Sequence, residues 1–184
     1  MNMTIEEKRY NAFARGNIIA KACFFVPCFT QNEDISAFYC EEEEKLCACF
    51  EKSKERYIES YEKMERSERR GFEPICIRLF SSAVYAERPF LSVIQEYAVS
   101  RGKNILSYRR TCQLWHTEKG LLLPASAFLP KRQAKRAEKN EFYFDGENII
   151  VIENIFPQKE ENGGSAFDGF VRTTCFKAQK RPNL

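Results

Sequence analysis

Eight cysteines, a single histidine and one basic run are the groups in this 184-residue chain best equipped for chemistry. The thiols are poorly spaced for a metal. Cys47 and Cys49 stand two apart on a predicted helix and point about 200° away from each other. Cys40 and Cys47 share a face but lie roughly 10 Å apart along the axis, too far for one tetrahedral ion with Zn–S bonds of ~2.3 Å. Cys23 and Cys28, an odd offset apart on a predicted strand, face opposite ways. Cys76, Cys112 and Cys175 are isolated. No metal site and no cofactor is expected, and the thiols read as reduced, small buried hydrophobes.

His116 could act as a general base or as a pH-sensitive group. Its nearest candidate thiol, Cys112, is four residues back on the same predicted strand face, ~13 Å away and out of bonding range. No Ser-His-Asp set can be assembled. The G-x-S-x-G, G-x-x-x-x-G-K-[ST] and G-x-G-x-x-G patterns are all absent from the sequence. Asp145 and Asp168 each precede a glycine and read as turn formers before they read as carboxylates beside a cleft. No catalytic residue is assigned. Trp115 and His116, adjacent and just before a turn, are kept as binding candidates.

The basic run Lys131-Arg-Gln-Ala-Lys-Arg-Ala-Glu-Lys139 would place Lys131, Lys135 and Lys139 on one helical edge, with Arg132 and Arg136 beside it. Such a stripe suits phosphates. It has few aromatic neighbours for base stacking and is too polar to enter a membrane. It reads either as a solvated surface helix or as a contact for nucleic acid.

Composition limits the classes open to the chain. Sixteen Phe and eight Tyr supply core material and argue against disorder, while eight Gly and seven Pro exclude collagen-like and linker-like chains. Lys+Arg 29 against Asp+Glu 26 leaves +3, which demands no polyanionic partner. The most apolar stretch, 18–29, is short and holds Lys21 and Pro27, so no membrane helix is read. Met1–Gly16 carries both charge signs and does not resemble a secretory leader. A cytoplasmic chain is expected.

Several elements would position these groups. Thr4-x-x-Glu7 has capping-box spacing, so a short helix is predicted over 5–14, ended by Gly16. Ile18–Thr30 reads as a strand, with Pro27 marking an edge or a bulge. Ile35, Tyr39, Leu46, Phe50, Tyr57, Tyr61 and Met64, spaced 4, 7, 4, 7, 4 and 3, form one stripe on a long helix. Asp34 is its expected N-cap, Glu41–Glu44 part of its wet side, and Gly71 its end. Strands are predicted at Phe72–Val84, Phe90–Val99 and Ile105–His116, short-linked and hence antiparallel. Lys119-Gly120 is a turn, Pro124–Phe128 a helical turn and Lys131–Lys139 a short helix. Phe142–Phe144 and Ile149–Ile152 flank an Asp145-Gly146 hairpin turn, 162–165 is a loop, and Phe170–Phe176 is a last strand. The domain reading is an N-terminal helix or arm at 1–16, one α+β domain at 17–176 and a polar tail at 177–184. The helix lies in 17–71 and most strands in 72–176. The fold class is α+β: an antiparallel sheet packed against one long amphipathic helix, with shorter helices.

Leu91-Ser-Val93, Gly120 with Leu123 and Phe128, and Phe142-Tyr143 occupy points of a known pattern. In this order, after a Pro-containing strand and a long helix, the chain resembles the extracellular domain of the lysozyme-sensing anti-sigma factor RsiV. It is also similar to a region of unknown function that precedes the catalytic domain of a peptidoglycan deacetylase. The turn Ser100–Asn104 departs from that pattern by holding one Gly where the family has several and a His. The resemblance implies helices packed on an antiparallel sheet, and a non-enzymatic bacterial protein-binding or regulatory module with a protein partner. The alternative is a nucleic-acid-associated protein, or an inhibitor of a nucleic-acid enzyme, acting through Lys131–Lys139.

Overall fold

The computed structural model describes residues 3–30, 32–155 and 171–179. Asp168, the 162–165 loop and the tail beyond 179 lie outside the described residues. The first two elements are strands β1 (Met3–Ala14) and β2 (Asn17–Phe29), paired antiparallel along their length. Residues 5–14 are therefore not the expected helix, and 1–16 is not a helical arm. The physical reason lies in the alternation: Tyr10, Ala12 and Ala14 turn inward while Glu7, Arg9, Asn11 and Phe13 stay outside. A period of two buries one face of a strand and would scatter around a helix. Gly16 does end the element, but as part of a two-residue hairpin turn in which Arg15 (φ 50°) and Gly16 (φ 79°) are both left-handed.

Helix α1 (Glu33–Lys63) follows, then the single-turn helix α2 (Arg66–Arg70), which Gly71 closes. The cap of α1 is Asn32, not Asp34: its side-chain oxygen accepts the Ile35 N–H at 3.0 Å. Ile35, Tyr39, Phe50 and Tyr61 of the predicted stripe are buried, and Leu46, Tyr57 and Met64 pack half-buried on the same core. Glu43 departs from the expected wet side. It falls on the stripe, is buried, and takes Lys8 Nζ at 2.8 Å and the Tyr10 hydroxyl at 3.2 Å.

Strands β3 (Ile75–Tyr85), β4 (Phe90–Arg101) and β5 (Asn104–His116) run antiparallel to one another, as short links require. The two-residue strand β6 (Leu121–Leu122) pairs with the end of β5. One pairing departs from the expected pattern. β3 lies parallel to β2, Ala20 opposite Ile75 through Phe24 opposite Leu79, with α1 as the crossover. The result is a mostly antiparallel six-stranded sheet in the order β1-β2-β3-β4-β5-β6, larger than a simple packing on one helix implies. Pro27 sits beyond the five-residue pairing with β3, where a missing N–H loses no bond to that strand.

A 3-10 turn (Ala125–Ala127) and helix α3 (Lys131–Ala137) lead to a second sheet of β7 (Glu141–Phe144), β8 (Asn148–Asn154) and β9 (Val171–Lys177). This sheet docks on β5 through side chains that imitate a strand. Asn154 accepts the Arg110 N–H and donates to the Arg110 carbonyl, both at 2.8 Å, and Glu141 accepts the Cys112 N–H at 3.0 Å. The edge of β5 that β6 leaves open is thereby blunted. Among the described residues no helix is long and apolar enough to cross a membrane.

Candidate functional site

Alternation along the large sheet sends one set of side chains to α1 and the other to the opposite face. Near β5 that opposite face is covered by the small sheet, with the Phe144 N–H donating to Ser92 Oγ at 3.1 Å. Across β1, β2, β3 and the adjoining part of β4 it is open and forms a hollow of about 720 Å³. The strand registers arrange its floor in rows. Arg9 faces Cys23, Cys23 faces Arg78, and Arg78 faces Ala98 and then Tyr108. Asn11, Lys21 and Cys76 form a parallel row on one side. The small side chains of Cys23, Cys76 and Ala98 give the hollow its depth. Phe25 and Phe80 form an edge-to-face pair with ring centres 5.8 Å apart, and Phe80 is 50% exposed.

The charges on this floor are unevenly satisfied. Glu7 accepts Arg9 Nε at 2.7 Å and the Cys23 thiol at 3.2 Å, and the Arg9 bond above all holds its carboxyl below the usual range. Glu96 accepts the Tyr108 hydroxyl at 2.6 Å and Arg110 Nε at 3.0 Å, with a further bond from Arg110 Nη2. Burial, then that bond to Glu96, pushes the Tyr108 phenol up. Both carboxylates are thus spoken for, whereas none of the described ion pairs involves Lys21 or Arg78. Burial, followed by the bond to Glu7, pushes the Cys23 thiol up as well, so it carries no activated thiolate.

The residues singled out from the sequence lie elsewhere and do not converge. Trp115 is a core residue: its indole N–H donates to the Tyr39 hydroxyl at 3.1 Å, and its ring packs on Phe38 with centres 5.1 Å apart. His116 points to the other face, buried against Phe90, and among the described residues its Nδ1 has no hydrogen-bond partner. It borders a separate depression of about 320 Å³ with Leu121, Pro124 and Ser126. Lys131, Arg132, Lys135, Arg136 and Lys139 are all exposed on or just after α3, with Arg136 over the Phe176 ring at 5.9 Å. None of these five lines the large hollow.

The eight cysteines are free. Cys40, Cys49 and Cys175 are exposed and the others half-buried, so they are not the small buried hydrophobes expected. Cys40 and Cys49 fall off the apolar stripe of α1, and Cys175 faces outward on the edge strand β9. Among the described residues no group of three or more His, Cys, Asp or Glu side chains is placed to hold a metal ion.

Sequence reasoning missed Arg9, Lys21, Phe25, Arg78 and Phe80. The available signal was the period of two on both sides of Gly16, which places Arg9 and Lys21 on one face once 3–14 is read as a strand.

No family model matches the chain, and no curated protein sequence does. Solved structures do resemble it. A member of the DUF3298 family from Bacteroides fragilis superposes with a TM-score of 0.61 at 8% identity, over 96% of this chain and 89% of that one. A DUF3298 family protein from Pseudomonas aeruginosa gives 0.54 at 9% identity, over 84% and 83%. At such identities the likeness is one of fold, and it is compatible with the resemblance to the RsiV domain.

Proposed function

We propose that the chain is a non-enzymatic protein-binding module, of the regulatory kind implied by its resemblance to the RsiV extracellular domain. Its working surface is the hollow on the sheet face opposite α1. The observation that carries this reading is the edge-to-face pair of exposed Phe80 with half-buried Phe25, set beside two cations, Lys21 and Arg78, that take part in no described ion pair. An open apolar patch rimmed by charge is the usual form of a docking surface. The reading includes a cytoplasmic setting, which the exposed free thiols of Cys40, Cys49 and Cys175 support. The test places a photo-crosslinking residue at position 80 and, separately, at position 132, in the chain's own host. A protein crosslinked from position 80 should bind the purified chain and lose about tenfold in affinity with Phe80→Ser. Binding indifferent to that substitution would remove the hollow from the account.

A second reading, contact with nucleic acid, is favoured by one observation. Lys131, Arg132, Lys135, Arg136 and Lys139 are all exposed, and none enters a described ion pair. A gel shift with duplex DNA should then weaken steeply with salt, and reversing Lys131, Lys135 and Lys139 to Glu should flatten the slope by about three. An unchanged slope would dismiss the stripe.

A further inference from the structure

Resting on the reading of the hollow as a docking surface, we infer the chemistry of its occupant. It is an acidic protein segment, with carboxylates at Lys21 and Arg78 and an apolar side chain against Phe25 and Phe80. The charge pattern argues for the acid. The two anions of the floor are saturated from within, Glu7 by Arg9 and Cys23, Glu96 by Tyr108 and Arg110. Among the described residues Lys21 and Arg78 enter no ion pair and are left over. Because Lys21 pairs with Cys76 and Arg78 stands two residues further along β3, they are diagonal neighbours, roughly 8 Å apart at the backbone from the spacing and rise of parallel strands. That span matches two carboxylates on one extended segment, whose same-side residues recur at about 6.5–7 Å. Arg78 adds the fork geometry that favours carboxylates.

The shape argues for a polypeptide. The hollow follows the strand rows instead of closing around a small molecule, and its apolar parts are spread. Phe25 and Phe80 stand at one end. Phe13 and Ile18, 56% and 42% exposed, pair near the β1–β2 turn, outside the hollow's own lining but beyond its opposite end. A segment lying across the rows could cover both ends while its acids meet the cations between them. Nucleic acid is less well served, because Lys21 and Arg78 alone offer far fewer phosphate contacts than such a polymer's binding rests on.

A phage-displayed random dodecapeptide library panned on the full chain, with counter-selection on a Lys21→Glu/Arg78→Glu variant, tests the inference. Both positions are exposed or on the open face, so the variant should fold, and its thermal melt checks this. The expected result is enrichment of peptides that combine Asp or Glu with an aromatic or aliphatic residue. A synthetic representative should lose about tenfold in affinity with Arg78→Gln, and again when its acids are replaced by amides. Retained peptides that are neutral or basic, yet lose binding with Phe80→Ser, would overturn the acidic occupant and leave the docking surface standing. Retained peptides that bind the Phe80→Ser variant and the unaltered chain alike would overturn both. A single-stranded oligothymidylate that outcompetes the acidic peptide, with dependence on Lys21 and Arg78, would assign the hollow to nucleic acid and overturn the inference.

Discussion

Glu43 is where the chain commits a charge to the space between helix and sheet. It occupies the α1 stripe between Tyr39 and Phe50, and a hydrophobe there would have served the core without assistance. Instead its carboxylate is held by Lys8 at 2.8 Å and Tyr10 at 3.2 Å, both from β1. The bond to Glu43 holds the Lys8 amine above its usual pKa. Removing one partner of such a pair is worse than never having had it. Lys8→Ala should cost about 1–3 kcal/mol, less than the loss of a fully buried pair because the Lys8 side chain is 33% exposed and water can take part of its place. Lys8→Met combined with Glu43→Leu should recover most of that loss. Urea denaturation of the two variants decides it, and equal destabilisation by both would mean that the pair itself holds β1 to α1. A run of four glutamates looks uniformly wet in the sequence. Only the phase of the stripe, 39-43-46-50, shows which of them turns inward, and Lys8 was hidden as a partner by the helical reading of 5–14.

Legibility among the elements followed how local their causes were. The stripe of α1, the hairpin at Asp145-Gly146, the turn at Pro124–Phe128 and the short helix from Lys131 are each determined within a few residues, and the structure holds all of them. The first strand was missed because Thr4-x-x-Glu7 mimics a cap while the period of two competes with it. The Asp145 turn shows local chemistry directly. The Asp145 carboxylate accepts the N–H groups of Glu147 at 2.9 Å and Asn148 at 2.7 Å. Its partial burial would raise its pKa, but these bonds outweigh burial and lower it. A lowered carboxylate contributes stability that is full above its unfolded value and is lost as pH falls through the folded one. Asp145→Ala should therefore destabilise by about 1–2 kcal/mol at neutral pH, with the difference from the unaltered chain shrinking as pH drops below about 4. Asp145→Asn, which keeps an acceptor oxygen, should retain most of the stability and lack the pH dependence. Thermal melts across that range read both outcomes, and a pH-independent loss in the alanine variant would assign the effect to backbone preference alone.

At the scale of the molecule, the features that escaped the sequence are those made by distant residues. The parallel pairing of β2 with β3 joins positions 55 apart through α1, Ala20 with Ile75 for example, and nothing within either strand announces it. The hollow follows from that pairing, because it brings Lys21 beside Cys76 and Phe25 beside Phe80. The second sheet is equally non-local. One hydrophobic cluster lies between α1 and the large sheet, another gathers Leu114, Phe128, Phe144 and Ile149, and strand β5 contributes to both through Trp115 and Leu114. Asn154 fastens this junction by taking both the N–H and the carbonyl of Arg110. Asn154→Ala leaves those two groups without their partner at a half-buried edge, at a cost of about 1–3 kcal/mol. If the small sheet can open as a unit, the loss should appear there first. Amide exchange in β7 and β8 should speed up by about tenfold or more, while β2 and β3 keep their protection. Exchange that accelerates evenly over both sheets would show instead that the two clusters unfold together and that β5 transmits the full cost of the missing contact.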